Sequence, residues 1–188
     1  MNTTARVLIT KQCVRRCPQC CNNYPRVMQQ MRTLYDLNQL SQYTNVVITG
    51  GEPLINPRYT EWVVNRLVDV LPIKANIYLY TTLWHNVLDR IGPVLNGLTF
   101  TLHSGARHGV ELEDFRRVQE LSLGMPHMTN RLVIYPHVPP ITIVPEAWQR
   151  ITKQVYATED ELLARNPNTG LPAGEDLYCY QAWNVREW

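Results

Sequence analysis

Short apolar runs alternate along the chain with stretches in which apolar residues recur every three or four positions, the pattern of repeated β-α units on a parallel sheet. The runs "RVLIT" (6–10), "VVIT" (46–49), "ANIYLYTT" (75–82), "LTFTLHS" (98–104) and "RLVIYPHV" (131–138) predict five strands. Between the first two, "RTLYDLNQLSQY" (32–43) predicts a short helix, with Leu34, Leu37 and Leu40 about one turn apart. Helices are also predicted over 57–71, where Pro57 suits a first turn, over 83–91, closed by Gly92-Pro93, and over 110–123, ending at Gly124 and Pro126. The segment 144–166 reads as mostly helical, with a break or a short sixth strand at Val155 and Tyr156. A turn-rich loop, "NPNTGLPAGED", then leads into the aromatic tail "LYCYQAWNVREW". The expected organisation is a core over residues 1–165, with residues 166–188 as a loop and tail packing on it as cover or as a dimer contact.

Five or six β-α units are too few for a complete eight-stranded barrel, which takes at least ~200 residues. An open or partly closed barrel and a doubly wound sheet remain. Both place ligands at the carboxyl ends of the strands. That rule singles out residues 11–23, 50–53, 80–83, 103–105 and 136–138.

Composition narrows the choice only slightly. A chain of 188 residues with 45% apolar and 18% charged residues is expected to be one globular domain. A net charge of +2, with Lys and Arg scattered, gives no support for nucleic-acid binding from charge alone. The start "MNTTARVLITKQC" does not read as a secretory signal, and no run approaches the ~18 apolar residues of a membrane span. A cytoplasmic location is therefore expected, where thiols stay reduced and a cysteine cluster points to a metal or to catalysis.

Four of the five cysteines fall within nine positions, in "CVRRCPQCC". Cys13, Cys17 and Cys20 have the spacing C-x3-C-x2-C directly after the first strand. On a helix they would share a face, but Pro18 weighs against a helix there. A loop curled around a compact object fits better, and three converging thiolates suit an iron–sulfur cluster. Three ligands leave one iron of a 4Fe-4S cluster open. Arg15 and Arg16, between the first two cysteines, favour thiolates. Cys21 and Cys179 read as packing residues. Structural zinc, with Cys21, Cys179 or a His as fourth ligand, is the competing reading of the loop.

Thirty residues on, "VVITGGEPLINP" follows the second strand. Gly50 and Gly51 let backbone approach a ligand closely, Glu52 offers acceptor oxygens suited to an ammonium, and Pro53 stiffens the turn. Together the two motifs resemble those of the radical S-adenosylmethionine (radical SAM) superfamily. The resemblance covers roughly residues 5–138 in strand order, with specific motifs in the first 53. It implies a partial (β/α)6 TIM-like barrel of parallel strands and a 4Fe-4S cluster on Cys13, Cys17 and Cys20. It also implies S-adenosylmethionine against Gly50, Gly51, Glu52 and Pro53, with Thr81, His103 and Ser104 as further cofactor contacts.

The implied activity is reductive cleavage of S-adenosylmethionine to a 5′-deoxyadenosyl radical that abstracts hydrogen from a small molecule, nucleotide or nucleobase. An electron donor such as flavodoxin or ferredoxin is implied as a partner, and a nucleic-acid or protein substrate and a homodimer are further options. His103, at a strand end, is the candidate catalytic residue outside the motifs, and Tyr80 and His137 hold comparable positions. The small size and "ITGGEPL" resemble the 7-carboxy-7-deazaguanine synthases. The spacing Cys20-x-Asn22 resembles that of activases that install a glycyl radical on a protein partner, the second reading. A non-enzymatic zinc-binding module is the third. One departure stands out: position 19, usually aromatic in the family and set against the adenine, is Gln19, with Tyr24 as the nearest substitute.

Overall fold

The computed structural model describes residues 3–15, 17, 20–103, 108–136, 138, 148–153, 158–165 and 174–181. Among these residues eight strands form one parallel sheet: β1 (Thr4–Leu8), β2 (Arg32–Leu34), β3 (Asn45–Thr49), β4 (Asn76–Thr81), β5 (Gly97–Leu102), β6 (Asn130–Ile134), β7 (Trp148–Thr152) and β8 (Glu175–Tyr180). Their spatial order is β2-β8-β1-β3-β4-β5-β6-β7, and the sheet is not closed. Period-two alternation directs Val7, Ile48, Leu79, Phe100 and Leu132 to one face. There they bury α2 (Pro57–Val70), α3 (Val87–Ile91) and α4 (His108–Leu123) through Val63, Leu67, Leu88, Phe115 and Val118. A smaller cluster of Leu8, Val27, Leu163 and Leu177 attaches α1 (Pro25–Gln29) and α5 (Glu159–Arg165) to β1 and β8. Since Leu8 alternates with Val7, this cluster lies on the opposite face of the sheet.

Three expectations are corrected. The helix expected over 32–43 is instead β2 followed by a 3-10 turn, Leu37–Leu40. Asp36 starts that turn locally, its Oδ1 accepting from the Asn38 amide at 2.9 Å. Leu34, Leu37 and Leu40 are all buried, so strand plus turn satisfies the same apolar spacing.

The segment 144–166 is not mostly helical among its described residues, since β7 precedes the short α5. The buried Trp148 draws β7 onto α4: its ring meets Phe115 edge-on at 5.2 Å, and its Nε1 donates to Ser122 at 3.2 Å. Val155 and Tyr156 lie outside the described residues.

The third correction concerns the number of strands. The described residues of the tail, 174–181, enter the sheet as β8, between β2 and β1. Thus eight strands replace the expected five or six. Among the described residues no helix is long and apolar enough to cross a membrane.

Candidate cysteine-lined pocket at the strand ends

The loop after β1 is joined by its backbone to the turn after β3. Gly51 donates to the Thr10 carbonyl at 2.6 Å and Glu52 to the Gln12 carbonyl at 2.7 Å. Asn22 Nδ2 adds a third tie, to the Gly50 carbonyl at 3.2 Å. Glycine is needed for this contact. Gly50 has φ +150°, and a Cβ there would fall on the Thr10 carbonyl; one on Gly51 would fall on the carbonyls of Gln12 and Lys11. The glycines therefore first serve contact between two protein segments, whereas the sequence suggested approach to a ligand. Gly51→Ala is expected to cost about 1–3 kcal/mol through overpacking, read as a shift of the urea midpoint. A variant as stable as the parent would mean that loop and turn do not meet in solution.

Cys13, Cys17 and Cys20 line one pocket with Gly51, Glu52 and residues from the carboxyl ends of β4, β5, β6 and β7. Its volume is about 160 Å³, roughly ten times what one buried water needs. It is of ligand size. The described part of the loop, 11–15, 17 and 20, is not helical, and a 3-10 turn follows at Cys21–Asn23. Short local bonds shape it: the Cys17 carbonyl accepts from the Cys20 amide at 3.1 Å and from Asn23 Nδ2 at 3.0 Å. Among the described residues, no three His, Cys, Asp or Glu side chains converge on a position for a single metal ion. Arg16, Pro18, Gln19, Ser104 and His137 lie outside the described residues, as does the side chain of Cys21.

Glu52 is only 1% exposed. Its Oε1 accepts from the Leu54 amide at 2.9 Å and from Thr81 Oγ1 at 2.7 Å, and its Oε2 from the Thr82 amide at 2.8 Å. It caps the 3-10 turn Pro53–Ile55 and binds the end of β3 to the end of β4. Burial pushes its carboxyl above the usual range, opposed by these three donors and by Arg15. Pro53 is buried, its carbonyl accepting from Thr60 Oγ1 at 2.6 Å.

Glu111, in the first turn of α4, is a second buried carboxylate, and sequence reasoning missed it. Its Oε2 accepts from the His103 amide at 2.6 Å, while its Oε1 meets His103 Nδ1 at 3.0 Å and Arg15 Nε at 2.8 Å. Thr82 Oγ1 lies 3.3 Å from Oε1. One side chain thus ties together the cysteine loop and the ends of β4 and β5. Arg15 is correspondingly buried, at 5% exposure, and its Nη2 donates to the Thr82 carbonyl at 3.3 Å. Burial alone would lower the His103 pKa, but the Cys17 thiol and Glu111 outweigh it and raise it to about 9. The His103 ring also lies against Tyr135 at 4.5 Å.

Tyr135 and Lys153, at the ends of β6 and β7, line the pocket and were also missed. Lys153 was hidden because its segment read as helix. Tyr80 lines the pocket as expected, with the Arg6 guanidinium 4.9 Å from its ring centre. Burial would raise the Tyr80 pKa, but Arg6 prevails and lowers it.

Three other residues stand elsewhere. Tyr24 packs against the Leu8–Val27–Leu163–Leu177 cluster and is not among the pocket residues. Cys179 is half-buried on β8. Tyr180 stacks on Trp62 of α2 at 6.3 Å.

No family model matches this chain, and no curated protein sequence does.

Proposed function

We propose that this chain is a radical SAM enzyme, with Cys13, Cys17 and Cys20 holding a 4Fe-4S cluster and S-adenosylmethionine lying between it and the Gly50–Pro53 turn. One observation carries the reading: the C-x3-C-x2-C loop and the Gly-Gly-Glu-Pro turn, separate in sequence, are locked backbone to backbone beside one ligand-sized pocket at the strand ends. The donor set also fits the group. A cluster takes each thiolate on a different iron, so three cysteines lining one pocket suit it without converging on one point. The open parallel sheet is compatible with a partial barrel, in which these strand ends would face a common interior.

When bound, cluster and cofactor supply reductive cleavage of the sulfonium and, from it, hydrogen abstraction from a substrate C–H bond. The chain's own residues hold and shelter. Glu52 has spent three of roughly four acceptor positions on protein donors, leaving one for an ammonium. Tyr80, Val133 and Tyr135 wall the pocket and limit water. A small molecule, nucleotide or nucleobase is the proposed substrate class, with a flavodoxin or ferredoxin in the cytoplasm as electron donor. Asn22 is already engaged with Gly50, so its spacing from Cys20 needs no protein partner to explain it.

Zinc is the second reading, because the Cys17–His103–Glu111 chain resembles a histidine ligand backed by a carboxylate. Anaerobic purification separates the two. The radical reading expects brown protein with about four irons and four sulfides per chain, releasing 5′-deoxyadenosine with dithionite and S-adenosylmethionine. Colourless protein holding one zinc per chain would overturn it.

A further inference from the structure

We propose that Lys153 binds an oxyanion, a carboxylate or phosphate group carried by the substrate; this rests on the reading above and names the charge that the substrate brings to the pocket. Lys153 directly follows β7. Its amide donates to the Ile134 carbonyl at 2.7 Å, and the Tyr135 amide donates to the Leu102 carbonyl at 3.0 Å, so the ends of β5, β6 and β7 are tied one to the next. Val133 stands opposite Ile151 in the register, and two positions on Tyr135 and Lys153 return to that same face. Val133, Tyr135 and Lys153 all line the pocket. The His103 ring, 4.5 Å from that of Tyr135, supports the tyrosine from the β5 side.

The charges around the pocket leave Lys153 unmatched. Glu52 accepts from Leu54, Thr81 and Thr82, and Glu111 answers both Arg15 and His103. Lys153 is half-buried, and its ammonium has no ion pair or hydrogen bond among the described residues. A partly desolvated ammonium without a counter-charge is costly, and an anionic oxygen is the group that relieves it. Position separates this charge from the proposed cofactor end. Across the sheet the strands run β1-β3-β4-β5-β6-β7, with the cysteine loop after β1, the Gly50–Pro53 turn after β3 and Lys153 after β7. Lys153 therefore stands at the far end of that row from the cysteines, on the side left for a substrate. A lysine acts as a point charge, so carboxylate and phosphate are both open to it.

Anion titration of the full chain tests the assignment. The chain is reconstituted anaerobically with iron and sulfide, saturated with S-adenosylmethionine without reductant, and titrated with inorganic phosphate and with acetate. Wild-type protein is expected to bind at least one of them saturably, and the tighter one names the group. Lys153→Met is expected to weaken that anion at least about tenfold, the loss of one charge-assisted hydrogen bond. Lys153→Arg, which keeps the charge, is expected to hold it within about threefold. Lys74→Met, at an exposed lysine before β4, is the control and is expected to change nothing. Lys153→Gln is the variant to read if Lys153→Met does not fold. Equal binding by wild type and Lys153→Met overturns the proposal, and so does a wild type that binds neither anion saturably. An anion that S-adenosylmethionine displaces overturns it too, because Lys153 would then serve the cofactor. A wild-type chain that takes up no iron overturns the functional reading instead, and the same titration without S-adenosylmethionine still decides whether Lys153 holds an oxyanion.

Discussion

Glu111→Ala is expected to lower the stability of the chain by about 3–5 kcal/mol, the range for removing one partner of a buried ion pair. The size follows from what would be stranded. Arg15 is 5% exposed and would lose the carboxylate on its Nε. The His103 amide and ring would lose their acceptor in the same step. Substituting an exposed pair such as Arg66 with Asp69 would move stability by well under about 1 kcal/mol. Urea unfolding of the two variants side by side makes the comparison. A Glu111→Ala midpoint no lower than that of the Asp69 variant would show that Arg15 is solvated in solution. Because Glu111 ties three strand-end segments together, the variant is also expected to loosen the pocket.

The second large effect concerns the cysteines. Cys17→Ser is expected to leave reconstituted protein with a small fraction of the ~4 irons that a complete cluster requires, and to abolish release of 5′-deoxyadenosine. Cys13→Ser and Cys20→Ser should behave alike, since all three line the same pocket. Cys179→Ser is the control, because that thiol is half-buried on β8 and is not among the pocket residues. The contrast is chemical: the thiolate is the soft ligand that iron–sulfur assembly needs, and a serine hydroxyl at ordinary pH is not. Full iron content in Cys17→Ser, or equal losses in Cys179→Ser, would remove the three-cysteine cradle.

Much of the frame was legible where the chain carries its own period. β3, β4, β5 and β6 were readable because they are short apolar runs bounded by turns and helices. Pro18 correctly argued against a helix in the cysteine loop, and the strand-end rule located the pocket. Legibility failed where neighbours decide. "RTLYDLNQL" carries helical spacing but is strand and turn, since Asp36 caps locally and all three leucines find burial that way. "WQRIT" is a strand because Trp148 reaches Phe115 and Ser122 on α4. The tail became β8 through pairing with β1, with Arg6 meeting Glu175 across 169 positions.

By itself, the amino-acid order determined the thiol spacing, the glycine pair and the acid beside it, because those are local properties of a few adjacent residues. Only the tertiary structure decided how those groups are used. Gly50 and Gly51 admit the Thr10–Gln12 backbone, Glu52 answers donors about thirty positions away, and Arg15 is sealed beside Glu111 from a distant helix. Burial and partnership of a charge depend on what the folded chain brings around it, and no local pattern encodes that surrounding.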